Sequence, residues 1–193
     1  MTSLANSETL ARLRRVRLLL LDADGVLTDG KIVYHDDGQQ TLMFNVRDGL
    51  GLRLLMETGI QVGVISGRGS AALDHRCRNL GITMVYRSVR NKVEVLHAIL
   101  AQTGIELAET AFMGDDIVDI PPMQQVGCAI AVADAHAMVK TCAHVITRRR
   151  GGHGAVREIA EALIQAQDKW SELLQRLGLE PINARPDGEN HAL

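Results

Sequence analysis

The chain has 193 residues, 46% hydrophobic and 23% charged, which suits one domain with a sizeable core. With 21 basic against 23 acidic residues, a net charge of -2 and 3% aromatics, neither a cationic nor a base-stacking nucleic-acid surface is expected. Cys77, Cys128 and Cys142 are odd in number and form no C-x-x-C pair, so neither a zinc site nor a disulfide framework is indicated.

Residues 1–14 are polar and basic and read as a leader or short helix. The leucine run after them is too short and too soon acidic for a signal peptide, and no stretch approaches a membrane span. A cytoplasmic protein is therefore expected. Leu18 to Leu21 lead straight into Asp22-Ala23-Asp24-Gly25. An apolar run between polar flanks predicts a strand buried on both faces, as in parallel sheets, where ligands bind at the carboxyl ends. Lys31 to Tyr34 and Gln39 to Asn45 flank an Asp-Gly turn and predict a β-hairpin. Asp48 is expected to cap a helix to about Thr58, with Leu50, Leu54 and Leu55 on one face and Gly59 as its stop.

Gln61 to Ile65 predicts a second buried strand, ending in Ser66-Gly67-Arg68-Gly69. A helix from Ser70 to about Leu80 stops at Gly81, and Thr83 to Tyr86 is a short strand. Asn91 caps a helix through Leu100. Thr110 to Met113 is a fourth strand, ending in Gly114-Asp115-Asp116. Pro121-Pro122 starts a short helix, Cys128 to Val132 is a strand, Ala135 to Thr141 a helix, and Val145-Ile146 a last strand. Gly151 to Gly154 predicts a flexible loop, Ala155 to about Leu177 one helix, and 178–193 a flexible tail. Strands alternating with helices predict an α/β doubly wound parallel sheet in a single domain over 15–177.

The polar clusters all fall where strands end. Alternate residues of an extended segment face one side, so Asp22 and Asp24 can share a site. Such a pair can hold a hard cation, act as nucleophile and acid/base, or do both. Taken alone, D-x-D-G is also an ordinary turn. Ser66 could cap a helix, Lys92 could be solvated, and Asp115 and Asp116 suit a helix start. A phosphate ester, however, requires such a set together: a nucleophilic carboxylate, a proton donor, a cation, and a hydroxyl and ammonium for the phosphoryl oxygens.

Asp22 to Gly25, Ser66, Lys92 and Gly114 to Asp119 stand in the order of the four motifs of the haloacid dehalogenase-like phosphatases, which the chain resembles. The resemblance implies Asp22 as nucleophile and Asp24 as general acid/base. It implies Mg²⁺ held by the Asp22 carboxylate, the Asp24 carbonyl and Asp115, with Ser66 and Lys92 on the phosphoryl group. Asp119 would orient Lys92 or a metal-bound water. Residues 30–48 leave room for a flap hairpin only, and 70–92 for one helix and one strand, so no cap domain is expected. Asn45 to Gly49, Ser66 to Arg68, Arg76-Cys77, Ala131 to Ala135 and Gly151 to Glu158 further resemble the 3-deoxy-D-manno-octulosonate (KDO) 8-phosphate phosphatases, over about residues 15–170.

That narrower resemblance implies a Mg²⁺-dependent homotetramer of lipopolysaccharide precursor synthesis, with hairpins associating between subunits. The sugar phosphate substrate carries a carboxylate, for which Arg47, Arg68 and Arg76 are candidate partners. Asn45 and Asp48 are candidates for sugar hydroxyls, and Gly49 and Asp116, with Asp24 and Lys92, complete the expected binding set. Arg148-Arg149-Arg150 reads as a solvated run. Two other readings stand beside this one: a phosphatase for another nonulosonate or sugar phosphate, and a silent binding module. Buried charges are costly to keep without use, which argues against silence.

Overall fold

The computed structural model describes residues 7–179. Helix α1 (Ser7–Arg15) precedes β1 (Leu18–Leu21), and a hairpin of β2 (Val33–Tyr34) and β3 (Gln40–Thr41) leads to α2 (Val46–Glu57). Then come β4 (Gln61–Ile65), α3 (Ala71–Leu80), β5 (Met84–Tyr86), α4 (Lys92–Thr103) and β6 (Thr110–Gly114). A 3₁₀ turn (Ile117–Asp119) enters α5 (Ile120–Met123), followed by β7 (Cys128–Ala131), α6 (Ala137–Cys142) and β8 (Val145–Ile146). Helices α7 (Ala155–Ala166) and α8 (Trp170–Arg176) close the described chain.

Six strands form one parallel sheet in the order β5-β4-β1-β6-β7-β8. The β1 leucines have no accessible surface and pair on both sides, Leu21 lying opposite Val64 of β4 and Met113 of β6. That register brings Asp22, Ser66 and Gly114 to the carboxyl edge together. The chain leaves β1 toward β4 and returns on its other side at β6, so the edge beyond β1 is the topological switch point. Between residues 30 and 45 there is only the hairpin, and between 70 and 92 only α3 and β5. The sheet is therefore an α/β core with no inserted cap.

Several local expectations change. The cap of α2 is Asn45, whose Oδ1 accepts from the amides of Arg47 and Asp48; Asp48 is inside the helix. The buried stripe of α2 runs through Asp48, Leu52 and Leu55, so Leu50 lies off it and is 48% exposed. Gly51 faces α7, where an added Cβ would lie 2.9 Å from Arg157 Cδ. The single helix expected from Ala155 breaks after Ala166: Asp168 adopts a left-handed φ of 55°, and Lys169 N donates to Ile164 O. Asp tolerates that conformation better than most residues, and no Gly or Pro marks the break.

From Ser7 the expected leader is a helix anchored by buried Leu13 and by Arg14 Nε donating to Ala166 O. The hairpin ladder is shorter than its sequence suggested, with both β2 residues exposed. The expected tail lies outside the described residues from 180 onward. Among the described residues, no helix is long and apolar enough to cross a membrane.

Candidate active site

Lys92 opens α4 but turns inward, 6% exposed. Its Nζ donates to Asp22 Oδ1 at 2.7 Å and to Asp119 Oδ1 at 2.6 Å. A solvated lysine would do neither. Asp119 is fully buried, and its second oxygen accepts the amides of Asp115 and Asp116 at 3.0 and 3.3 Å. Both Asp119 oxygens are thus engaged, one orienting Lys92 and the other bending the backbone after β6. Gly114 is needed there, because a Cβ would lie 2.5 Å from Asp119 Cβ.

Carboxylate oxygens of Asp22, Asp115 and Asp119 lie within 4.8 Å of one another. Burial, and next the negative charge of Asp119, push the Asp22 carboxyl up to about 6 against the pull of Lys92. Burial followed by repulsion from Asp22, Asp119 and Asp116 pushes Asp115 up to about 8. Burial works against the Lys92 charge, but Asp22 and Asp119 outweigh it and hold the ammonium above its ordinary range. Asp115 Oδ1 is buried with no hydrogen-bond partner. One ammonium for three crowded carboxylates, one of them with an orphaned oxygen, is a donor set suited to a hard divalent cation.

Ser66 is 2% exposed, and its Oγ accepts from Arg68 N. It does not cap the next helix; Ser70 does, accepting from Leu73 N. Asp24 is half-buried and is gripped by Arg68, with Nε to Oδ2 at 2.7 Å and Nη2 to Oδ1 at 3.3 Å. Gly25 adopts a φ of 85°, and a side chain there would run into Asp115.

The other expected binding residues are largely engaged by the protein itself. Asn45 Nδ2 donates to Gly152 O while its oxygen caps α2. Asp48 is 2% exposed, and its oxygens accept from Gly154 N at 3.2 Å and Arg157 N at 2.8 Å. These bonds tie Asp48 to the turn into α7. Arg76 donates to Asn45 O at 3.0 Å and lies 5.9 Å from the Phe44 ring centroid. Gly49 admits it, since a Cβ would fall 2.1 Å from Arg76 Nη2. Asp116 is exposed and caps the 3₁₀ turn through Ile117 N. Arg47 stays exposed on the first turn of α2.

The 151–154 loop was expected to be flexible, yet it is strapped across the carboxyl edge of the sheet. Gly151 N donates to Asp134 Oδ1, Gly152 N to Val26 O, and Gly154 N to Asp48. A Cβ on Gly151 would lie 1.6 Å from Gly25 O, so this backbone rests directly on the catalytic-type loop. Asp134, which holds the strap, was given no role in the sequence, where it stood only as one residue of the Ala131 to Ala135 stretch.

The haloacid dehalogenase-like hydrolase family matches residues 79–159. The 3-deoxy-D-manno-octulosonate 8-phosphate phosphatase KdsC of Yersinia pestis is 42% identical over 162 residues, covering 84% of this chain and 87% of that protein. KdsC of Escherichia coli is 41% identical over 167 residues, covering 86% and 89%. The crystal structure of the Moraxella catarrhalis phosphatase, in complex with magnesium ion, phosphate ion and a KDO molecule, superposes with a TM-score of 0.86 at 34% identity, covering 90% of this chain and 99% of that one.

Proposed function

The chain belongs to the haloacid dehalogenase-like hydrolases, in the branch of the KDO 8-phosphate phosphatases, and from this we propose that it hydrolyses 3-deoxy-D-manno-octulosonate 8-phosphate to KDO and inorganic phosphate. The observation that carries the reading is the buried Asp22–Lys92–Asp119 chain beside the unpartnered Asp115 oxygen. Mg²⁺ fits these carboxylates, and with both Asp119 oxygens engaged it would be held by the Asp22 carboxylate, the Asp24 carbonyl and Asp115. When bound it supplies positive charge to the phosphate oxygens and orients the ester.

The chain's own residues supply the rest. Asp22 attacks phosphorus in line and forms an aspartyl phosphate, while the sugar alkoxide leaves. Asp24 protonates that alkoxide and then takes a proton from the water that cleaves the acyl phosphate. Lys92, fixed by Asp119, and Ser66 stabilise the charge spread over the equatorial phosphoryl oxygens. Arg68 keeps Asp24 oriented, and the strap from Gly151 keeps the Asp22–Gly25 backbone still. The product sugar acid suits lipopolysaccharide precursor synthesis in the cytoplasm.

The assembly is proposed as a homotetramer. Val33, Tyr34, Met43 and Val46 are 53%, 65%, 71% and 78% exposed, which supports packing of the flap region against other copies. A lone two-stranded hairpin is marginal in water.

The test of function is phosphate release from KDO 8-phosphate by the purified chain, with Mg²⁺ and with excess chelator. Turnover should need the cation, return when it is restored, and vanish in Asp22→Asn, whose amide cannot form the acyl phosphate. Turnover in chelator, or an active Asp22→Asn, would contradict the mechanism.

A further inference from the structure

Thr28 has no accessible surface, and the phosphate chemistry gives its hydroxyl no part. It closes the turn that follows β1. The amides of Leu27 and Thr28 both donate to Ala23 O, at 2.9 and 3.2 Å, and wind the chain back on itself. Thr28 Oγ1 then accepts from Gly25 N at 3.4 Å and from Gly30 N at 3.2 Å. The strap lies over this residue: a Cβ on Gly152 would fall 2.5 Å from the Thr28 carbonyl carbon. With the hydroxyl shut away from solvent, bulk water does not take its place as acceptor.

The amide of Gly25 belongs to the same peptide unit as the carbonyl of Asp24. That unit is planar and trans, so its N–H and C=O point in opposite directions. Holding the N–H toward Thr28 therefore sets the direction of the Asp24 carbonyl. It does so independently of the Asp24 side chain, which Arg68 grips. Asp115 packs against the same unit, its Oδ2 only 2.0 Å from the place a Cβ on Gly25 would take. This is the carboxylate whose Oδ1 has no hydrogen-bond partner. No donor among the described residues reaches the Asp24 carbonyl either. A free carbonyl on the peptide that packs against a free carboxylate oxygen suits a hard, oxygen-seeking cation.

We propose that Thr28 is a positioning residue for the cation: through the Gly25 amide it holds the Asp24 carbonyl in the direction that Mg²⁺ requires. A carboxylate can offer either of two oxygens by turning its side chain. A backbone carbonyl has one oxygen and turns only with its peptide, so it must be set beforehand. Mg²⁺ demands near-ideal octahedral geometry, and a carbonyl turned out of line is lost as a ligand. Residues that orient metal ligands matter to affinity almost as the ligands do. The assignment rests on the reading of Asp22, the Asp24 carbonyl and Asp115 as the Mg²⁺ site, and its test separates the two.

Three variants compare with the parent. Thr28→Val keeps the shape and removes the acceptor, Thr28→Ser keeps the acceptor, and Thr28→Cys puts a weaker one in its place. Mg²⁺ alone is titrated calorimetrically into each protein after chelator treatment, with thermal melts to confirm that each is folded. Mg²⁺ affinity should fall about 10-fold or more in Thr28→Val, stay within about 2-fold of the parent in Thr28→Ser, and lie between them in Thr28→Cys. Turnover of KDO 8-phosphate by Thr28→Val should need correspondingly more Mg²⁺, with most of kcat returning at saturating cation and KM little changed. Equal Mg²⁺ affinity in the parent and Thr28→Val, whatever the change in melting temperature, would overturn the assignment and leave Thr28 a support of the fold. Where Thr28→Val does not fold, the serine and cysteine variants decide, and equal Mg²⁺ affinity in those two would overturn it. A parent that binds no Mg²⁺ at all would sink the metal site itself, and the role of Thr28 with it.

Discussion

At the residue scale the site is a problem of too many negative charges in too little water. Asp22 and Asp115 hold protons up to about 6 and about 8, against 3.8 for an ordinary carboxyl, because burial and mutual repulsion disfavour the anions. The sign of the consequence follows. With both pKa values raised in the folded state, the cation-free protein binds protons that the unfolded chain has released. That stabilises the fold fully below the unfolded value near 3.8 and is lost as pH rises through about 6 to about 8. The melting temperature of chelator-treated protein should therefore fall from about pH 5 to about pH 8, and saturating Mg²⁺ should offset the fall. Thermal melts of the parent and Asp115→Asn check this; the variant should lose the upper part of the decline, and a flat parent profile would contradict it. These positions were legible because four stretches, each of which alone also suits a turn or a helix start, occur together in the order of one family's motifs. The cap of α2 was expected at Asp48 and is Asn45, because a cap and an interior helix residue three apart are chemically alike in sequence. Only the amides they meet tell them apart.

At the scale of elements, the strap between β8 and α7 fixes the loop after β1. Gly151 has no room for a side chain, with Gly25 O 1.6 Å from the place its Cβ would take. Gly151→Ala must push the strap off the Asp22–Gly25 loop. It should cost at least the roughly 1–3 kcal/mol typical of overpacking, and lower kcat more than an equally destabilising change far from the edge. Thermal melting alongside kinetics reads both, and unchanged turnover would show that the strap does not position Asp22. Strands were the most legible elements, since β1, β4, β6 and β7 are continuous apolar runs. The break between α7 and α8 was not, because Gln167-Asp168-Lys169 contains no breaker and the stop is made by one left-handed aspartate.

For the whole molecule, the alternation of strands and helices announced the parallel sheet, and the short spacers announced the missing cap. What packs against the flap was less legible, because apolar residues on a hairpin say that a partner is wanted and not how it is seated. Deleting residues 31–40 should dissolve the proposed tetramer into smaller species and remove turnover with it. Light scattering run beside the phosphate assay checks this. A fully active monomer, parent or deletion, would defeat the assembly.

The strap also has a consequence for the order in which the enzyme comes into being. Asp22 is made well before the strap, and the bonds from Asn45 to Gly152 and from Asp48 to Gly154 join groups 107 and 106 positions apart. Contacts so distant in sequence form late and slowly. On the ribosome, β1 and its aspartates are exposed long before their clamp exists. A nascent chain arrested before Gly151 would carry Asp22, Lys92 and Asp115, and still lack the strap that holds the loop around them in place.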